Sequence, residues 1–112
     1  MYKVVITDTA HADLQNAALY IANTLNNKAA ANRLLDAADK ELSSLADSPE
    51  RNSLVRDFFL AENGIRMQTI KKYLAFYAIR NETNSVTVLR IIHSRRDWAA
   101  ILKNDIENNL NG

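Results

Sequence analysis

The segment RIIHSRRDW, residues 90 to 98, closes an apolar run with three arginines, a histidine and an aspartate. An imidazole can carry a proton near neutral pH, and the planar guanidinium fork matches phosphate oxygens two at a time. Cleavage of RNA through its own 2′-hydroxyl needs these functions: a base for the hydroxyl proton, cations for the charged phosphorane and an acid for the leaving oxygen. His93, Arg95 and Arg96 are therefore candidates for chemistry. A plainer arrangement fits the same residues: His93 packs beneath a following helix, while Asp97 caps that helix and pairs with an arginine.

Lys71 and Lys72 stand just before Tyr73, where they could meet a backbone phosphate or simply keep a sheet edge soluble. Tyr73, Phe76 and Tyr77 could stack on bases, although aromatic residues in the middle of a small sheet more often form core. His11, in a first helical turn, is expected to be solvated, and Tyr20 is expected to pack within a helix hairpin. No Gly-rich phosphate loop, HExxH or GxSxG pattern occurs. With no cysteine there is no thiolate nucleophile, disulfide or Cys-based zinc site, and only two histidines remain as nitrogen ligands. Neither a metal nor a cofactor is expected.

These residues must be positioned by a small set of elements. YKVVIT (2 to 7) is β-branched and runs into the cap-type residues Asp8 and Thr9, which predicts a strand followed at once by a helix. Leu14, Ala17, Ala18, Ile21, Ala22 and Leu25 recur at three- and four-residue steps, the stripe of an amphipathic helix over about 9 to 25. Ala31, Leu34, Leu35, Ala38, Leu42 and Leu45 repeat the pattern up to Pro49, giving an αα-hairpin. IRMQTI (65 to 70), YLAFYAIR (73 to 80) and SVTVLRIIH (85 to 93) then read as a three-stranded meander, with NETN as a turn. Trp98, Ile101, Leu102 and Ile106 predict a last short helix, and NNLNG (108 to 112) a frayed tail.

The order β-α-α-β-β-β-α predicts an α+β fold with an antiparallel sheet packed on the helix hairpin. One sheet face should be buried, and the other left to water, a ligand or a partner. Along the strands, Arg66 and Gln68 should share one side, and Val88, Arg90 and Ile92 another. At 112 residues and 47% hydrophobic content, with no repeat or linker, one domain over 1–112 is expected. No apolar stretch approaches the roughly 20 residues that cross a bilayer, and YKVVI is not a signal-peptide n-region, so no membrane partner and a cytoplasmic location are expected.

The net charge of +1 conceals segregation. Residues 1 to 50 carry 4 basic and 7 acidic side chains, residues 51 to 103 carry 10 and 4, and residues 104 to 112 carry 0 and 2. The middle segment should attract an anionic partner, nucleic acid or an acidic peptide.

The chain resembles the RelE/ParE superfamily, the toxins of type II toxin-antitoxin modules, also called plasmid stabilisation proteins. The likeness is carried by TDTAHADLQNAALYIA after the first strand, by LADSPE closing the second helix, by KKYLAFYAI and above all by VTVLRIIHSRRDW. It implies a cognate antitoxin as partner: an acidic, partly disordered segment that folds on binding. RelE-like members cleave mRNA in the ribosomal A site without a metal; ParE-like members poison DNA gyrase. Where a RelE-like toxin carries arginine after the aromatic that opens the third strand, this chain has Leu74, and Ile101 occupies the region of the late tyrosine. Its second strand offers Arg66 and Gln68 instead of two lysines.

The ending RIIHSRRDW is closer to the ParE-like branch, which implies a gyrase-binding toxin with Arg90, Arg95, Arg96, Lys71 and Lys72 as its target-binding rim. The alternative is a ribosome-dependent endoribonuclease with His93, Arg95 and Arg66 as its catalytic set. A third is a degenerate toxin that only binds its antitoxin. Fold alone cannot choose among them.

Overall fold

The computed structural model describes residues 1–111, with backbone alone at 109–111, so Gly112 of the expected tail lies outside the described residues. β1 (Lys3–Ile6) turns directly into α1 (Asp8–Leu19). The cap is Thr7, one residue earlier than expected. Its hydroxyl oxygen accepts from the Ala10 amide at 3.1 Å and satisfies a donor that the first helical turn leaves without a partner.

The first helix does not reach Leu25 in one geometry. It widens into a π turn over Tyr20–Thr24, in which the Leu25 amide donates to the Tyr20 carbonyl at 3.1 Å. A π turn rotates the side chains that follow it. Leu25, expected on the buried stripe, is 56% exposed, and Tyr20, expected inside the hairpin, is 52% exposed.

α2 (Lys28–Ser44) is capped by Asn27 and buries Ala31, Leu34, Ala38 and Leu42 at helical spacing. Pro49 opens a single 3-10 turn. A short helix that periodicity could not reveal follows, α3 (Phe58–Glu62). Its five residues are too few to establish a period, but its punctuation is legible. Asp57 accepts from the Leu60 amide at 3.0 Å, and Gly64 leaves the turn at φ +75°, a conformation that a side chain would strain.

β2 (Arg66–Ile70), β3 (Tyr73–Arg80) and β4 (Ser85–His93) form the expected antiparallel meander. The sheet order is β1-β4-β3-β2, with β1 added as a parallel edge beside β4. The helix hairpin carries the chain from β1 to β2 at the opposite edge, and the meander then brings β4 back beside β1, a long connection of the kind a parallel neighbour requires. α4 (Trp98–Asn111) is longer than the short helix predicted, since the segment read as a frayed tail is helical through Asn111.

The sheet does not leave one face open. On one side Leu34, Ala38 and Leu42 of α2 pack on Ala75, Tyr77 and Val86. On the other, Leu102 of α4, with Leu60 and Ile65, covers Leu74, Phe76 and Ile92, and the Trp98 and Phe76 rings lie 5.1 Å apart. The near-continuous apolar run of β3 is the pattern of a strand buried on both faces. Phe76 and Tyr77 are accordingly core, each 0% exposed.

The second layer is stapled by an ion pair. Lys103 of α4 donates to Asp57 at 2.6 Å, and this contact, with the Leu60 amide, lowers the Asp57 pKa from its ordinary value of 3.8. A depressed carboxylate contributes stability above its unfolded pKa and loses it as the pH falls through the folded value. The variant Asp57→Asn is therefore expected to be less stable than the native chain at neutral pH. Thermal unfolding across a pH series should show the gap narrowing below pH 3.8.

Candidate functional site at the basic end of the sheet

One irregularity in β4 decides where its last residues point. Phe76 pairs with Arg90 but Tyr77 pairs with Val88, so Leu89 is the extra residue of a bulge. Before the bulge Val86 and Val88 pack on the helix-hairpin face; after it Ile91 does, while Ile92 packs beneath α4. The expectation that Val88, Arg90 and Ile92 share one side fails here, because a single inserted residue reverses the alternation. His93, two residues past Ile91, reaches the hairpin side.

The bulge is held from α1. Thr7 donates its hydroxyl to the Leu89 carbonyl and its amide to the Val88 carbonyl, both at 3.1 Å. Asp13 accepts from the Ile91 amide at 2.9 Å and from Arg90 at 2.8 and 3.1 Å. The remaining Arg90 fork reaches Asp105 of α4 at 3.0 Å. The Asp13 hydrogen bonds, opposed by partial burial and helped by Asp105, raise the Arg90 pKa, so its charge is permanent. That charge is spent on two carboxylates inside the fold.

Where β4 ends, His93 pairs with Tyr73, their rings edge to face at 5.1 Å. The Ser94 amide donates to the Lys72 carbonyl at 2.9 Å, which seats the 94–97 turn against the Lys71–Lys72 hairpin tip. Lys71 occupies φ +56°, an uncommon conformation for a residue with a side chain. Lys71, Lys72, Arg95 and Arg96 are all exposed, and none belongs to an ion pair among the described residues. Asp97 accepts from the Ala100 amide at 3.2 Å and so caps α4 as anticipated.

The His93 Nδ1 accepts the Arg95 amide at 3.1 Å. In the neutral ring this places the proton on Nε2, which makes His93 a donor on that side and not a base. Beside it a groove of about 500 Å³ opens between the π turn and the strand ends. Tyr20, Ile21 and Leu25 form one wall, Arg33 of α2 stands over it, and Lys71, Lys72, Tyr73 and His93 form the other. Burial pushes the Tyr73 phenol up, with the Tyr20 phenol adding to the effect. Sequence pattern does not place Arg33 or Tyr20 at this site: Arg33 carries no signal, and Tyr20 is expected to pack within the hairpin. Arg33 lies on an ordinary polar helix face, and Tyr20 reaches the groove because the helix widens under it.

Arg66 is elsewhere. Its guanidinium donates to the Asn52 carbonyl, and Arg66 pairs with Tyr77, whereas His93 is level with Tyr73 and Ile70. Four residues at about 3.3 Å and two strand spacings of about 4.8 Å put the Arg66 backbone on the order of 16 Å from that of His93. Gln68 sits between them in a network with Arg51, Asn52 and Glu41. Among the described residues no group of three His, Asp or Glu is placed to hold a metal ion.

The chain thus builds a four-stranded sheet between a helix hairpin and a carboxyl-terminal helix, with a cationic end. The family model for the ParE toxin of the type II toxin-antitoxin system parDE matches residues 4–98. The chain belongs to that family and is a type II toxin-antitoxin toxin of the ParE/RelE superfamily. In structure it is similar to the chromosomal ParDE system of P. aeruginosa, with a TM-score of 0.68 at 16% identity over 83% of this chain and 96% of that one. The RelBE2 toxin-antitoxin complex of Mycobacterium tuberculosis gives 0.61 at 24% identity over 82% and 96%. The isolated E. coli RelE toxin gives 0.56 at 15% identity over 93% and 98%. No curated protein matches it in sequence.

Asp13→Ala removes three hydrogen bonds at once and leaves Arg90, at 17% side-chain exposure, with Asp105 as its one remaining carboxylate. Loss of one partner of a largely buried charge pair should destabilise the fold by roughly 2–4 kcal/mol. Urea unfolding should show a lower midpoint with an unchanged slope.

Proposed function

We propose that this toxin acts by binding DNA gyrase and not by cutting RNA, and that a cognate antitoxin neutralises it. Membership of the ParE family supports this reading, and one structural observation carries it. The three side chains that cleavage would draw on are not gathered: Arg66 is tied to Asn52 far along β2, its backbone on the order of 16 Å from that of His93. What the basic end offers is a surface.

Lys71, Lys72, Arg95 and Arg96 project from one hairpin tip and one adjoining turn, exposed and free of ion pairs among the described residues. Such a cationic rim suits a negatively charged macromolecular partner. Arg90 has a different part in this reading: it positions the rim by holding the β4 bulge. The antitoxin is an acidic segment that orders on the basic half of the toxin, and the complex is expected to co-purify when both are expressed together. The pair acts in the cytoplasm.

The test assays supercoiling and mRNA side by side. Purified toxin is expected to block gyrase supercoiling, with relief on adding the antitoxin, while transcripts stay intact after induction. Transcripts cut within codons, with supercoiling unaffected, would instead identify a ribosome-dependent endoribonuclease using His93, Arg95 and Arg66. Normal growth on overexpression would leave antitoxin binding as its one activity. The double variant Arg95→Ala/Arg96→Ala should lose growth inhibition while its stability changes by no more than about 0.5 kcal/mol per site, as is usual for exposed side chains. Colony counts and thermal unfolding check both halves.

A further inference from the structure

The groove beside His93 has a composition that the rim does not require. Arg33, Lys71, Lys72 and His93 line it, no carboxylate does, and Tyr20, Ile21, Leu25 and Tyr73 supply an aromatic and aliphatic wall. Arg33, Lys71 and Lys72 join no ion pair among the described residues. Asp36 and Glu41 line an adjoining concavity with Arg33 and Lys71, whereas the charged groups of the groove itself are all cations, which gives a local positive potential that an anion would relieve. Leu25 and Tyr20 are more than half exposed, at 56% and 52%, and these surfaces gain by being covered with a planar apolar group.

Two backbone features hold this arrangement at a cost. The π turn at Tyr20–Thr24 turns Tyr20 and Leu25 towards the groove and away from the core, and π turns inside helices are frequent at functional sites. Lys71 keeps a left-handed backbone at φ +56° where glycine would sit without strain. The volume, about 500 Å³, falls within the roughly 300–1,000 Å³ of small-molecule sites. It has room for one nucleotide and not for a folded chain.

We infer that this groove binds a nucleoside phosphate, with its phosphate between Arg33, Lys71 and Lys72 and its base against Tyr20 and Tyr73. His93 contributes the Nε2 proton as a hydrogen-bond donor to a phosphate oxygen. Asn27, the cap of α2, and Ala30 of its first turn close the groove at the positive end of the helix dipole, with the Ala30 amide already donating to the Asn27 side chain. The site shares Lys71 and Lys72 with the rim of the gyrase reading and differs from it in using Arg33, Tyr20 and Tyr73 and leaving Arg95 and Arg96 aside.

Calorimetric titration of the full chain with AMP, adenosine, inorganic phosphate and an unphosphorylated single-stranded tetra-deoxyadenylate tests the inference. AMP is expected to bind at least tenfold more tightly than adenosine or inorganic phosphate. Arg33→Ala/Lys71→Gly should weaken AMP by at least about tenfold, since each charged hydrogen bond to phosphate carries an effect of that order. Tyr20→Ala should weaken it by about fivefold or more through lost stacking.

Lys71→Gly is the discriminating variant. It relieves the backbone strain, so its unfolding midpoint should be no lower than that of the native protein even as AMP binding falls. No AMP binding at millimolar concentration would overturn the inference, and so would equal affinity for phosphate and AMP. Undiminished binding by the double variant would place the ligand elsewhere. A tetranucleotide bound tenfold more tightly than AMP would assign the groove to a nucleic acid strand and overturn the free-nucleotide site.

Discussion

The Asp13 carboxylate is the constraint on which the functional end of the molecule depends. Both oxygens are engaged: they accept two bonds from Arg90 and one from the Ile91 amide, 77 and 78 residues away in the chain. A bulge leaves backbone donors out of the ladder, and a buried donor without an acceptor costs about as much as a lost hydrogen bond. Asp13 supplies that acceptor and ties α1 to the centre of the sheet. Through Asp105 the same guanidinium reaches α4, so three elements from both ends of the chain meet on one side chain.

Covering both faces of the sheet has a consequence for where function can reside. With the helix hairpin on one side and α4 with the 55–65 segment on the other, the strands have no broad open surface to offer. Their ends do. The β2–β3 tip, the last residue of β4 and the turn that follows converge there, as in many folds where binding residues lie on loops placed by a rigid scaffold.

The cations of the chain separate into two populations once the contacts are known. Arg51 bonds Ser44 and Gln68, Arg66 bonds Asn52, Arg90 bonds two carboxylates and Lys103 bonds Asp57. These hold loops and helices to the sheet. Of the cations outside these contacts and the ion pairs described, Arg33, Lys71, Lys72, Arg95 and Arg96 gather at one end, while Lys3, Lys28, Lys40, Arg56 and Arg80 are dispersed along the chain. The charge asymmetry between the two halves of the chain is thus partly structural and partly surface, a division that counting cannot make.

Residue order alone determined the element types, the meander, the helix hairpin and the segregation of charge, because helical and strand periodicities and turn chemistry act over a few residues. It also carried the cap of α4, in Asp97, whereas the double burial of β3 runs against the expected open face, although the unbroken run YLAFYAI has the pattern of such a strand. Tertiary structure decided what depends on distant partners: the parallel placement of β1 beside β4, the bulge that redirects His93, and the neutralisation of Arg90 but not Arg95. The π turn belongs with these, since its apolar stripe continues in sequence as if the helix were regular. A one-residue change of phase reverses every side chain beyond it. Only contacts such as those of Thr7 and Asp13 with β4, more than 70 residues apart, select the phase.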